Sequence, residues 1–148
     1  GNLSGFILRI LIFSHLTTNN QAGEIDMDTS LALTIIGSVM ALFGVVFNIN
    51  PIAVNKVIMG NLGEEAVNPA AALRVVIGGS AIAIGITAFY CRNLPAEQAS
   101  TLLVALGIGF IVLIAAIFST KLRGYSDHIP IPPVVAFTIL TIIAFYAS

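Results

Sequence analysis

Four apolar segments dominate the pattern of hydrophobic and polar positions along the chain. They cover residues 31–49, 70–90, 99–118 and 130–146. An α-helix rises about 1.5 Å per residue, so about 20 apolar residues cross the roughly 30 Å hydrocarbon core of a bilayer. The connecting stretches are short, which favours antiparallel packing of consecutive helices. The pattern therefore predicts an all-α, polytopic membrane four-helix bundle with almost no sheet, because lipid cannot satisfy an open sheet edge.

A short additional helix is predicted directly after the first span. Asn50 is a good N-cap residue, Pro51 suits the first helical turn, and Gly60 is a typical stop signal. Together they bound a helix over Pro51–Met59. Because nine residues cannot span a bilayer, we expect this helix to lie at the membrane surface or against the bundle.

Capping signals mark the other helix boundaries. Thr29 or Ser30 is expected to cap the first span, and residues 61–68 are expected to form a polar loop before the second. Pro95 suits the first turn of the third span, and Gly124 suits its end.

Residues 1–30 are interpreted as an N-terminal extension of the membrane domain, which covers residues 31–148. The apolar stretch of residues 6–16 is too short to span a bilayer. We interpret it as an interfacial helix, and the end of a signal peptide is the alternative. An acidic linker connects it to the first span and contains Glu24, Asp26 and Asp28.

Composition supports a membrane location and excludes nucleic acid as a partner. Apolar residues make up 57% of the chain and charged residues 9%, whereas soluble domains carry about 25% charged residues. The net charge of −1 provides no basic surface for a phosphate backbone.

The distribution of cationic residues indicates an orientation. In a four-span topology, one side of the membrane has Lys56, Arg74, Lys121 and Arg123, and the other has Arg9 and Arg92. Because Lys and Arg are enriched on the cytoplasmic side, this bias places both termini on the non-cytoplasmic side.

Arg74 is the most informative charged residue, about five residues inside the second span. A charge at that depth is costly unless it snorkels or is paired, so we expect a polar partner. Glu64 and Glu65 are the nearest acids in sequence, and the loop that bears them can fold back over the helix start. A lipid phosphate or an acid on another subunit is the alternative, and either would make Arg74 an anion or partner contact.

Small residues concentrate in the second span and predict close helix packing. The candidate packing residues are Gly78, Gly79, Ala83 and Gly85. In lipid, helices associate where small side chains let their backbones approach. We expect this helix to be the most enclosed one, and replacement of Gly79 by leucine to destabilise the fold or its assembly. A face for a separate subunit is the alternative to packing inside the chain.

No group of residues indicates catalysis, metal binding or a cofactor. The two histidines, His15 and His128, lie outside the apolar centres, and Cys91 is the only cysteine. No acid lies mid-span, which argues against a proton-coupled pump carried by this chain alone. We therefore expect no enzymatic activity and no cofactor.

The run from residue 31 to 148 resembles a family of small, uncharacterised bacterial four-helix integral membrane proteins. The distinctive stretch is Arg74-x-x-x-Gly78-Gly79, since a similar motif opens the second helix in that family. The resemblance implies the four-helix fold and a bacterial inner-membrane location, and it implies no mechanism. An acid commonly precedes the family's Arg, whereas Ala71 and Ala72 stand there in this chain.

Two functions fit these features. The first is a non-catalytic accessory or scaffold subunit of a larger membrane complex, with lipids and other integral membrane subunits, or further copies of itself, as partners. The alternative is a small-molecule or lipid-binding membrane protein, or a transporter, that acts as an oligomer with Arg74 as the anion contact.

Overall fold

The computed structural model describes residues 27–148, and five α-helices make up most of that part of the chain. They are α1 (Thr29–Ile49), α2 (Pro51–Met59), α3 (Glu64–Tyr90), α4 (Ala96–Leu122) and α5 (Ile131–Ala147). A 3₁₀ turn, Cys91–Asn93, lies between α3 and α4. The described part contains no strand, which confirms the all-helical prediction. The interfacial helix predicted for residues 6–16 lies outside the described residues.

Three of the described helices, α1, α3 and α4, are long and apolar enough to cross a membrane. α1 has 21 residues, and α3 and α4 have 27 each, which correspond to about 31 Å and 40 Å of helix. α5 is apolar but has 17 residues, about 25 Å. It is therefore at the lower limit for a span, and a fourth crossing stays a prediction.

The first turns of α3 differ from the predicted polar loop. We expected residues 61–68 to be a loop, but α3 begins at Glu64 and contains Pro69. Glu64 and Glu65 lie in the first turn, where the helix dipole favours acidic side chains. Pro69 is the sixth residue of this helix, so it removes the hydrogen bond from its own nitrogen to the Glu65 carbonyl and its ring crowds that carbonyl.

Capping explains why α1 ends and α2 begins where they do. The α2 prediction is confirmed, since the Asn50 side chain accepts a hydrogen bond of 3.0 Å from the Ala53 N–H and Gly60 ends the helix with φ of 78°. The cap predicted for α1 is wrong by one or two residues. Asp28 is the N-cap, and its carboxylate accepts a 3.3 Å hydrogen bond from the Ser30 N–H.

The long helices pack as two antiparallel pairs. α1 packs along α3, and α4 packs against α5, where the rings of Phe110 and Phe137 stack with centroids 5.9 Å apart. α1 also contacts both α4 and α5 and so joins the pairs. The expectation that consecutive spans are neighbours is wrong for α3 and α4, which make no packing contact.

The core lies along α1 rather than along α3. The side chains of Leu33 and Ile36 on α1, Leu103 and Phe110 on α4 and Leu140 on α5 are almost completely buried. In the apolar part of α1, 33% of residues are buried, against 22% in α3 and 17% in α4. The prediction that the second span is the most enclosed is therefore wrong, because α1 contacts every other helix whereas α3 leaves one side open.

Candidate functional site

A polar cluster lies where α1 ends, α2 crosses and α3 begins. Its centre is a hydrogen bond of 2.8 Å from the Arg74 Nε–H to the Asn55 Oδ1. Asn55 is only 2% exposed, the one buried polar side chain among the described residues. Arg74 therefore has a polar partner, and that partner is an uncharged amide on α2.

An aromatic side chain from α1 completes the surroundings of Arg74. The guanidinium carbon of Arg74 lies 5.0 Å from the centre of the Phe47 ring. A cation over an aromatic face is stabilised by the ring quadrupole, with a gain of about 0.5–2 kcal/mol. Arg74 therefore joins three helices, since it contacts α1 through Phe47 and α2 through Asn55.

Glu64 and Glu65 do not hold Arg74. Both side chains are exposed in the first turn of α3, and no ion pair within 4.0 Å links them to a cation in the described part of the chain. Ten residues of helix, about 15 Å, separate Glu64 from Arg74, because the segment predicted to fold back as a loop is helical instead.

Asn55 is the functional candidate that the sequence reasoning missed. The sequence could have indicated Asn55, because it is a single amide in the middle of the largely apolar α2. The Arg74 bond occupies its Oδ1, and its Nδ2 is buried without a hydrogen-bond partner among residues 27–148. A buried donor of this kind costs about 1–3 kcal/mol if it stays unsatisfied.

A small recess borders this amide on the outer side of α2. Its volume is about 140 Å³, and it is lined by Ile52, Asn55, Lys56, Gly60, Asn61, Leu62 and Val67. Lys56 is exposed at this recess. The recess therefore offers the exposed side chains of Lys56 and Asn61, whereas the Asn55 Nδ2 is enclosed by the protein.

The small residues of α3 lie on two different faces of the helix. Gly78 and Gly85 face α1, where a methyl group added at Gly85 would lie 2.7 Å from both the Gly37 carbonyl oxygen and the Ala41 nitrogen. At Gly79, no atom of the other helices in residues 27–148 lies within 4 Å of such a methyl, and Ala83 is exposed. Two of the four predicted packing residues thus lie inside the chain, and two lie on the open side of α3.

An open apolar groove of about 680 Å³ lies on the other side of α2. Its walls come from the second half of α1, from α2 and from the first turn of α5, including Phe43, Val54 and Pro133. The groove is almost entirely apolar, so it presents no group that would orient a polar ligand.

The remaining reactive side chains are dispersed. Cys91 is a free thiol in the turn after α3, and His128 is exposed in the loop before α5. Within residues 27–148, no three His, Cys, Asp or Glu side chains come together in a way that could hold a metal ion.

Comparison with known proteins finds no relative of this chain. No family model matches the chain, and neither the curated proteins nor the solved structures contain a significant match. Membership of the four-helix bacterial family therefore stays a hypothesis from the Arg74 and Gly78-Gly79 motif.

Proposed function

We propose that this protein is a non-catalytic accessory or scaffold subunit of a larger membrane complex, and that it docks through the open side of α3. The observation that carries the proposal is the position of Gly79. This glycine lies in the middle of a helix suited to crossing a membrane, yet no atom of the other described helices lies within 4 Å of a methyl group added there.

Close helix association in lipid depends on small residues. Lipid chains are as apolar as leucine, so helices gain from association mainly through van der Waals contact between closely approaching backbones. On the inner side of α3, Gly78 and Gly85 meet this requirement against α1. On the outer side, Gly79 and Ala83 are spaced four residues apart and offer the same close approach to a helix from another polypeptide.

The proposed topology has four crossings with both termini on the non-cytoplasmic side of a bacterial inner membrane. Antiparallel packing puts the end of α1 and the start of α3 at the same edge of the molecule, where Lys56 and Arg74 lie. Lys121 and Arg123 follow at the end of α4. This bias towards one edge supports a cytoplasmic location for it.

Substitution at Gly79 tests the proposal. In native gels of membranes solubilised in mild detergent, we expect the wild-type chain to migrate well above its own mass of 15.5 kDa. Gly79→Leu should release the single chain, because a leucine holds the neighbouring helix away. Circular dichroism should show unchanged helix content, since Gly79 on the outer side of α3 has no contact to lose with the other helices of residues 27–148.

Gly109→Leu is the matched control. Gly109 also has no atom of the other described helices within 4 Å of an added methyl, and with the exposed Ala105 it forms the same small-residue spacing on α4. This variant therefore distinguishes α4 from α3 as the docking helix: the proposal expects it to assemble like the wild type, and loss of assembly in Gly109→Leu would contradict it. A wild-type chain that migrates alone, or a Gly79→Leu variant that assembles normally, would contradict the proposal. A high-mass species that contains only this chain and lipid would favour the oligomeric lipid-binding or transport function instead.

A further inference from the structure

We propose that Arg74 and the apolar groove along α1 form one binding site for a phospholipid, with the phosphate on the Arg74 Nη nitrogens and one acyl chain in the groove. Phe47 joins the two parts, because its ring lines the groove and also contacts the guanidinium. The proposal does not depend on the assembly function, because neither Gly79 nor Ala83 lines the groove.

The Arg74 guanidinium retains N–H donors without partners. A guanidinium has five N–H donors, and the Nε–H of Arg74 is bonded to the Asn55 Oδ1. The donors on the two Nη nitrogens make no hydrogen bond within residues 27–148. These nitrogens are nevertheless accessible, because the Asn55 Nδ2 is the one enclosed side-chain polar atom without a partner in that part of the chain. Arg74 can therefore donate to an acceptor outside the chain.

Charge favours an anion as that acceptor. No ion pair within 4.0 Å neutralises Arg74 in the described part of the chain, and its contacts with Asn55 and Phe47 are with uncharged groups. A cation within a helix suited to crossing a membrane is costly without a partner. Phosphate oxygens fit the planar fork of arginine in bidentate hydrogen bonds. A phospholipid headgroup provides such oxygens at the membrane surface.

The groove has the length and position of an acyl chain in one leaflet. It follows α1 from Val39, the eleventh of the 21 residues of this helix, to Asn50 just beyond the helix end. This part of the helix rises about 16 Å, close to half of the roughly 30 Å hydrocarbon core. Because α1 matches the thickness of the core, one end of the groove lies near its middle and the other lies at the membrane surface.

Arg74 lies at the surface end of the groove. Its guanidinium carbon is 5.0 Å from the ring centre of Phe47, which is in the last turn of α1. The groove itself is almost entirely apolar, and its volume of about 680 Å³ is within the range of about 300–1,000 Å³ that is typical of ligand sites. A ligand with a long apolar chain and an anionic group at one end fits this combination, whereas free phosphate leaves the groove empty.

Native mass spectrometry of the full chain in mild detergent tests the site with two lipids that have the same acyl chains. Dioleoylphosphatidylglycerol has the phosphate, and dioleoylglycerol lacks it. We expect Arg74→Gln to weaken binding of the first lipid by about tenfold or more, because it removes hydrogen bonds between charged groups. Binding of the second lipid should not change. Ala53→Trp places a large ring in the groove from an exposed position of α2, so it should weaken binding of both lipids.

Two matched controls separate the site from general effects of charge and size. Arg92 is also partly exposed and lies 3.9 Å from the ring centre of Phe89, but neither residue lines the groove. Ala116 is exposed on α4 and does not line the groove either. Arg92→Gln and Ala116→Trp should therefore bind both lipids like the wild type.

Three results would overturn the proposal. The first is equal binding of dioleoylphosphatidylglycerol by the wild type and either Arg74→Gln or Ala53→Trp. The Ala53→Trp result decides even if Arg74→Gln unfolds the chain, because Ala53→Trp keeps the bond between Arg74 and Asn55. The second is an equal loss of binding in Arg74→Gln and Arg92→Gln, which would indicate general attraction between cations and lipid. The third is binding of inorganic phosphate that Ala53→Trp leaves unchanged, which would identify a site for the free anion instead.

Discussion

Replacement of Gly85 by alanine tests the contact between α1 and α3 that organises the fold. A methyl group at this position would lie 2.7 Å from the Gly37 carbonyl oxygen, 2.7 Å from the Ala41 nitrogen and 3.1 Å from the Ala41 Cβ. Two of these neighbours are backbone atoms, which cannot rotate away as the end of a flexible side chain does. The two helices must therefore separate by several tenths of an ångström to restore ordinary contact.

The expected loss follows from that separation. Overpacking of a well-packed interface costs about 1–3 kcal/mol. Alanine is a better helix former than glycine by up to about 1 kcal/mol, which offsets part of the loss. Because two of the three contacts are with backbone atoms, the upper part of the overpacking range applies, about 2–3 kcal/mol. Less the gain of about 1 kcal/mol in helix propensity, we expect Gly85→Ala to lower the free energy of unfolding by about 1–2 kcal/mol.

Gly79→Ala is the matched comparison on the same helix. Within the described part of the chain, no atom of another helix lies within 4 Å of the added methyl, so only the gain in helix propensity applies. We expect the isolated chain with Gly79→Ala to be as stable as the wild type or up to about 1 kcal/mol more stable.

Unfolding by SDS in mixed micelles, followed by circular dichroism, measures both variants. The chain has no tryptophan, so intrinsic tryptophan fluorescence does not report on its unfolding. Equal unfolding midpoints for Gly85→Ala and Gly79→Ala would refute the assignment of the inner and outer sides of α3. A Gly85→Ala variant more stable than the wild type would refute the close approach of α1 and α3.

Two further substitutions test the polar cluster and the second helix pair. Arg74→Ala removes the partner of the buried Asn55 oxygen, so the free energy of unfolding should fall by about 1–3 kcal/mol in the same assay; unchanged stability would mean that the bond contributes nothing. Phe110→Ala removes a ring that is 2% exposed and stacks on Phe137, with an expected loss of about 3–5 kcal/mol. A loss below 1 kcal/mol would show that α4 and α5 do not pack in this way.

Helix existence could be predicted from the sequence because hydrophobic length and capping are local properties. The nine residues of α2 lie between an asparagine cap and Gly60, and both signals act within one turn of the helix. The start of α3 was harder to predict, because Pro69 and the polar residues around it are typical of a loop. The two acidic residues of the first turn favour a helix start at Glu64, and the helix continues through Pro69.

The partners of individual side chains could not be predicted, because they depend on how the helices cross. The sequence indicated that Arg74 requires a polar partner, but proximity along the chain favoured Glu64 and Glu65. Its partner is Asn55, nineteen positions away, because α2 folds back across α3. The packing of the adjacent glycines could not be predicted either. Both Gly78 and Gly79 are small, but only the position of α1 shows that Gly78 faces α1 and Gly79 does not.

Site-directed cross-linking in native membranes tests the central claim most directly, the docking of another polypeptide on the open side of α3. In a Cys91→Ser background, cysteine is placed either at Ala83, which is exposed, or at Ala81, which is buried in the core. Each variant is coupled to a thiol-reactive benzophenone and irradiated. We predict that Ala83→Cys gives adducts well above 15.5 kDa and that Ala81→Cys does not. If Ala83→Cys gives only the single chain or lipid adducts, the open side of α3 faces lipid and the claim is contradicted.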